Sequence, residues 1–452
     1  MNTPDPENAA RDDSEVEITD LDAPIGTDNV PGRATRRRVA PSPRGRVWMS
    51  IAVIAGIVLL VALVGLPYTQ EKAVLPLSAV HPLSLSVVDG IAYGSSPDGM
   101  VTALRVSDGS LLWHHTGGTT GQVSTTIAGG IVYLASLTFD NDAIAITLHA
   151  LRAGDGSPLW SRTLPTDVPA PIQLTVVARV VYISLAGQSI DALRASDGSS
   201  LWHYTSRSSL ASMPSVVDGV LYGDSQDGHV FALRASDAFP LWQSTSLFPP
   251  SSASPTVADG LVYLNLQDGS IAALRASNGA LLWHDLPPTP LAASSPIVVD
   301  GVVYVSALDG SIYALHANNG SLLWRAILHF PNVFPSIMVR GRAMYVETLD
   351  GSVYALRASD GSLLWRYQDG EMSLTVTQGA VYLALQTGSR AIIDALRASD
   401  GSVLWHYTPQ APATQLPALV AGGLILVALQ DGSIDALSAS SGTLLWHRAV
   451  VS

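Results

Sequence analysis

Eleven histidines are the side chains of this 452-residue sequence best suited to chemistry, as metal ligands or proton carriers. Five of them, His114, His203, His284, His406 and His447, each directly follow a tryptophan. They occupy equivalent points of a repeat, so they are spread over different structural units, whereas a metal centre needs ligands that converge. Asp140-Asn141-Asp142 could offer oxygen ligands to calcium, yet the full spacing of a calcium loop is absent and a solvated turn accounts for the run. Ser-Asp-Gly-Ser strings recur at one turn position, which makes them turn formers rather than nucleophiles. Cysteine is absent, which removes disulfides, thiolate metal sites, cysteine nucleophiles and lipid attachment through cysteine. No catalytic, cofactor-binding or metal-binding residue is assigned, and no cofactor is expected.

The elements that carry these residues are set by a repeat. Ala103–Trp113 reads ALRVSDGSLLW, and close copies end at Trp160, Trp202, Trp242, Trp283, Trp324, Trp365, Trp405 and Trp446. An alanine stands ten residues before each tryptophan: Ala103, Ala150, Ala192, Ala232, Ala273, Ala314, Ala355, Ala395 and Ala436. Tryptophans follow one another at 40 to 42 residues, apart from one spacing of 47. The sixth unit shows three turn signals, Asp300-Gly301, Asp309-Gly310 and Asn319-Gly320, where tight hairpins with positive φ at both central residues are expected. Between them lie the short β-rich runs SPIVV, VVYVSAL, SIYALHA and SLLWRAI. Four strands in about 41 residues is the period of a propeller blade, and the runs are too short for a helical solenoid. The fold class is therefore all-β, a closed β-propeller of four-stranded blades. A small residue lets an indole approach the backbone, so each alanine is expected to receive the tryptophan of an adjacent blade.

The pattern Ala-Leu-x-Ala-x-x-Gly-x-x-Leu-Trp resembles the tryptophan-docking motif of pyrroloquinoline-quinone-type propellers, over residues 83–449. That family includes quinoprotein alcohol dehydrogenases and a non-enzymatic propeller of the outer-membrane assembly machinery. The resemblance implies the fold and says little about function. The family's common blade number is eight, whereas nine units are present here, and the sequence leaves the choice open. The family's usual aspartate after Ala-Leu is arginine in seven units, with a pairing such as Arg357 with Asp360 expected across the turn. The dehydrogenases' vicinal cysteines have no counterpart, and no residue here matches their calcium and quinone pocket.

Outside the repeat, residues 1–46 have the composition of a disordered tail. Met49 to Leu66 is an uncharged run of 18 residues, and with Val47 and Trp48 it reaches ~30 Å as a helix, one hydrocarbon core. Six arginines precede it between residues 30 and 46. The positive-inside rule then gives a cytoplasmic tail (1–46), a single transmembrane helix (47–67), a linker (68–82) and an extracytoplasmic propeller (83–449). A cleaved signal peptide is the competing reading, with an unusually long leading region and no good cleavage site. The formal charge of −13 argues against a nucleic-acid partner. The functional expectation is a membrane-anchored binding module or scaffold for a protein or glycan partner. Its alternatives are a ligand sensor signalling through the tail and a quinone-dependent dehydrogenase. Loops that depart from the repeat, at 138–147, Phe239-Pro240, Phe248–Ser252 and Phe330–Phe334, are the places to seek a partner.

Overall fold

Each repeat unit folds as a four-stranded antiparallel meander, and nine such sheets follow one another along the chain in the computed structural model. The structure describes Glu15–Glu17 and, apart from short connecting segments, residues 84–450. The expected tail, span and linker otherwise lie outside the described residues. Among the described residues there is no helix. Glu15–Glu17 forms a three-residue strand in parallel pairing with Arg325–Ile327, on the outer edge of the sixth sheet.

The blades run from Ser84–Thr116 for the first to Leu419–Ala449 for the ninth. First strands of neighbouring blades lie against one another on the inside of the ring, and fourth strands, which carry the tryptophans, form its outside. Second and third strands are buried almost continuously, as in Val302–Ser306 and Ser311–His316. Both faces of a blade are covered by its neighbours, which explains the unbroken apolar runs. The buried side chains fall into nine clusters, and each cluster joins two adjacent blades rather than filling one. One of them joins Ala92 and Leu104 of the first blade to Leu426 and Ile434 of the ninth. The ring therefore closes on nine blades, and no strand is exchanged to close it.

The three turns of a blade differ more than the sequence suggests. Asp300 and Gly301 both have positive φ, 51° and 76°, as a two-residue hairpin of primed type requires. At Asp309-Gly310 and Asn319-Gly320 only the glycine is left-handed. These longer loops need one left-handed residue because a bulge takes up the strand twist. The second blade has the longest hairpin, Ile131–Asp140 with Ala143–Arg152, which accounts for the spacing of 47.

Candidate functional site

The repeated tryptophan is a joint between blades. Trp113 Nε1 donates to the Ala153 carbonyl of the next blade at 2.8 Å. Its indole lies over Gly156, where a Cβ would come within 2.6 Å of the ring. The same bond recurs from Trp160, Trp202, Trp242, Trp283, Trp324, Trp365 and Trp405, and Trp446 closes the circle on the Val106 carbonyl at 2.9 Å. The receiving surface is thus the turn glycine and the carbonyl three residues before it. Ala103, Ala150, Ala192, Ala232, Ala273, Ala314, Ala355, Ala395 and Ala436 have another place: each is paired directly opposite the tryptophan of its own blade, just before a β-bulge. The methyl group leaves room for the indole on the same pair, and all nine are fully buried.

A tyrosine from the second strand, outside the repeat motif, completes most joints. Tyr93 stands 5.9 Å from Trp113 between ring centroids, and its hydroxyl donates to the same Ala153 carbonyl at 3.1 Å. One carbonyl thus accepts two donors on its two lone pairs. Burial raises the tyrosine hydroxyls above their ordinary pKa, Tyr263 to about 12, with a smaller contribution from the charge of Asp259. The signal was present, because eight units carry tyrosine in the second strand. The ninth has Leu426 opposite Ala436. The fourth blade varies the other partner: Ala238, at φ 55°, stands where the glycine of the docking turn is expected.

The arginines after Ala-Leu are turn elements as well. Arg105, Arg152, Arg194, Arg234, Arg357 and Arg397 pair with the aspartate three residues on, at 3.0 to 3.5 Å, with about half of each side chain exposed. Each aspartate also caps its turn: Asp360 Oδ1 accepts the Ser362 amide at 2.9 Å. The Ser362 hydroxyl and amide, then Arg357, hold the Asp360 carboxyl below the usual carboxylate range. In the fifth blade Asn278 takes the capping role after Arg275.

The described histidines do not converge. His203 bonds Asp191 at 2.9 Å, His447 bonds Asp435 at 2.7 Å, and His284 bonds Ser270 at 2.8 Å, each within its own blade. His115 and His149 approach across the first junction, with ring centroids 5.9 Å apart, and burial holds both below the usual imidazole value. Among the described residues no group of three or more metal-ligating side chains forms.

Two acids end second strands. Asp224 is fully buried, and loss of water pushes its carboxyl up to about 7, although Ser212 donates to it at 2.7 Å. Burial likewise raises Glu347 to about 7. The fifth blade has Asn265 at that position.

Of the expected partner loops, 330–334 lies outside the described residues, as do residues 141–142 of 138–147 and Phe248 of Phe248–Ser252. Phe239 is 55% exposed on the docking turn of the fourth blade, with Arg234 4.9 Å above its ring. Pro250 and Ser251 pack inward. Among the described residues, open cavities lie between blades on the face that carries the first and third turns. One, of about 680 Å³, lies between the second and third blades; the other, of about 1410 Å³, runs across the sixth, seventh and eighth.

Nine blades joined by a tryptophan on the neighbour's turn, over a glycine in eight of the nine joints, define a PQQ-like β-propeller. A family model described as outer membrane protein assembly factor BamB matches residues 97–246, 186–338, 268–415 and 373–452, so the chain belongs to that family. BamB from Moraxella catarrhalis is similar in structure, with a TM-score of 0.53 and 18% identity, over 70% of this chain and 96% of that one. The computationally designed protein Ika8 is similar at a TM-score of 0.52 and 18% identity, over 72% and 95%. A quinohemoprotein alcohol dehydrogenase from Pseudomonas putida HK5 reaches a TM-score of 0.46 and 15% identity, over 65% and 68%. No curated protein matches the chain in sequence.

Proposed function

We propose that this chain is a protein-binding scaffold held to a membrane by a single span, with its propeller on the extracytoplasmic side and its N-terminal tail in the cytoplasm. The observation that carries the scaffold reading is the use made of the repeated polar chemistry. The indoles, tyrosine hydroxyls, turn arginines and turn aspartates are bound to neighbouring blades or to their own turns, and so form a frame. Loops and turns differ between blades, and there a rigid ring presents a broad surface to a partner. Membership of a family described as an assembly factor supports a protein partner over a glycan. The reading includes no catalytic step. Anchoring rests on the uncharged run from Met49 to Leu66 and the arginines before it, and it requires Glu15–Glu17 to leave the edge of the sixth blade.

The test is crosslinking of the tagged full chain in its own cell envelope, followed by identification of the captured proteins. A reproducible protein partner, lost when untagged chain is added in excess, supports the scaffold. A folded ring that captures no protein and instead shows a thermal shift with small molecules points to a sensor.

A further inference from the structure

The cavity across the sixth to eighth blades is floored by apolar side chains, among them Val299, Val302, Val339 and Val376. Its rim carries Arg340, Arg342 and Arg357, against a single acid, Asp300. Blades one, four, five and six have aspartate at the first turn: Asp89, Asp218, Asp259 and Asp300. The seventh blade has Arg340-Gly341-Arg342 there, and all three residues are exposed. Its backbone differs too. Gly341 has φ 60°, while Arg342 is absent from the left-handed residues, so a glycine-first turn leaves the second central position free for a long side chain. Arg357 is held in place by Asp360 at 3.1 Å, whereas among the described residues Arg340 and Arg342 make no ion pair. A basic groove thus stands on a chain of net charge −13.

We propose that this groove binds an acidic, partly apolar segment of a partner protein in extended form. The inference rests on the scaffold reading and adds the place and the chemistry of recognition. Guanidinium groups suit carboxylates because their fork of donors matches two oxygens. A cavity that crosses three blades has the length for a chain rather than a single ion, and its apolar floor takes the side chains that alternate with the acids. Charge complementarity at such a rim speeds encounter and excludes basic competitors.

The test uses the full chain in detergent and a short dye-labelled peptide alternating glutamate and valine, read by fluorescence anisotropy. The expected result is saturable binding that weakens as salt rises and falls about tenfold or more in the double variant R340E/R342E. Arg207→Glu, a charge reversal elsewhere on the ring, leaves binding unchanged. Thermal melts of the variants report folding, and Arg340→Gln with Arg342→Gln replaces the reversal if it unfolds. Equal binding of a lysine–valine peptide, undiminished binding by the variant, or binding of inorganic phosphate without the peptide overturns the proposal. Envelope crosslinking of the same double variant separates the two claims. Undiminished partner capture sinks the groove and leaves the scaffold, while no capture by the unmodified chain sinks the scaffold.

Discussion

Trp324, 2% exposed, is the most enclosed of the nine joint tryptophans. Removing its indole leaves a cavity between blades six and seven and strips a donor from the Ala358 carbonyl. Trp324→Ala is expected to lower unfolding free energy by about 3–5 kcal/mol in denaturant titration. The glycine beneath it supplies a second measurement. Gly361 has φ 70°, and a Cβ there would come 2.5 Å from the Trp324 ring, so Gly361→Ala must strain the backbone and displace the indole. Ala238 already carries that burden in the fourth blade, and Ala238→Gly is expected to stabilise by about 1 kcal/mol. If both substitutions act in the same direction, the joint is not what limits this position. Asp224 links the fold to pH. Its folded carboxyl holds a proton up to about 7, whereas the unfolded chain ionises at the ordinary carboxylate value. Its contribution is therefore full below about pH 4 and is lost as pH rises through 7. Asp224→Asn, with Asn265 as precedent on the next blade, should raise the melting temperature at pH 8 and change little at pH 4. A gain that is equal at both pH values would show that Asp224 does not titrate in this range.

At the scale of the blade, each element is a meander whose strands are held edge to edge but whose core belongs to the junctions. The turns decide how well a blade presents its glycine and carbonyl to the previous tryptophan. Within the third turn the aspartate does more than the arginine. Asp360 accepts the Ser362 amide as well as the Arg357 guanidinium, while Arg357 is half exposed. Arg357→Ala is expected to cost less than about 1 kcal/mol, as exposed pairs do. Asp360→Ala removes the cap too and should lower the melting temperature further. The reverse order would assign the turn's stability to the ion pair.

For the whole molecule, closure is one more joint of the common kind: Trp446 on Val106, with Arg448 Nε donating to the Gly109 carbonyl at 3.1 Å. Because no strand is exchanged there, Trp446→Ala should cost about as much as loss of any other joint indole, about 3–5 kcal/mol, and also increase protease sensitivity near the two ends of the ring. The proposed topology has its own measurement. Protease added to intact cells should remove the ring and spare an epitope placed within residues 1–46. A bilayer between tail and ring excludes the parallel pairing of Glu15–Glu17 with the sixth blade, so loss of the epitope would favour that pairing over the span.

The tryptophan period, the Asp-Gly turns and the short β-rich runs are local features, and local features were enough to determine the blade and to leave the histidines on separate units. Nine units were countable in the chain, but whether nine could close depended on contacts between residues as far apart as Val106 and Trp446. The docking surface was ambiguous for a related reason. Ala314 and Gly320 recur in the same window, and linear spacing cannot say which one faces the neighbour's indole; the strand register places Ala314 against its own Trp324, and the turn carries Gly320 to Trp283 of the previous blade. Arg340 and Arg342 were visible as residues. Their joint rim over an apolar groove exists only because three blades, each formed locally, are packed side by side.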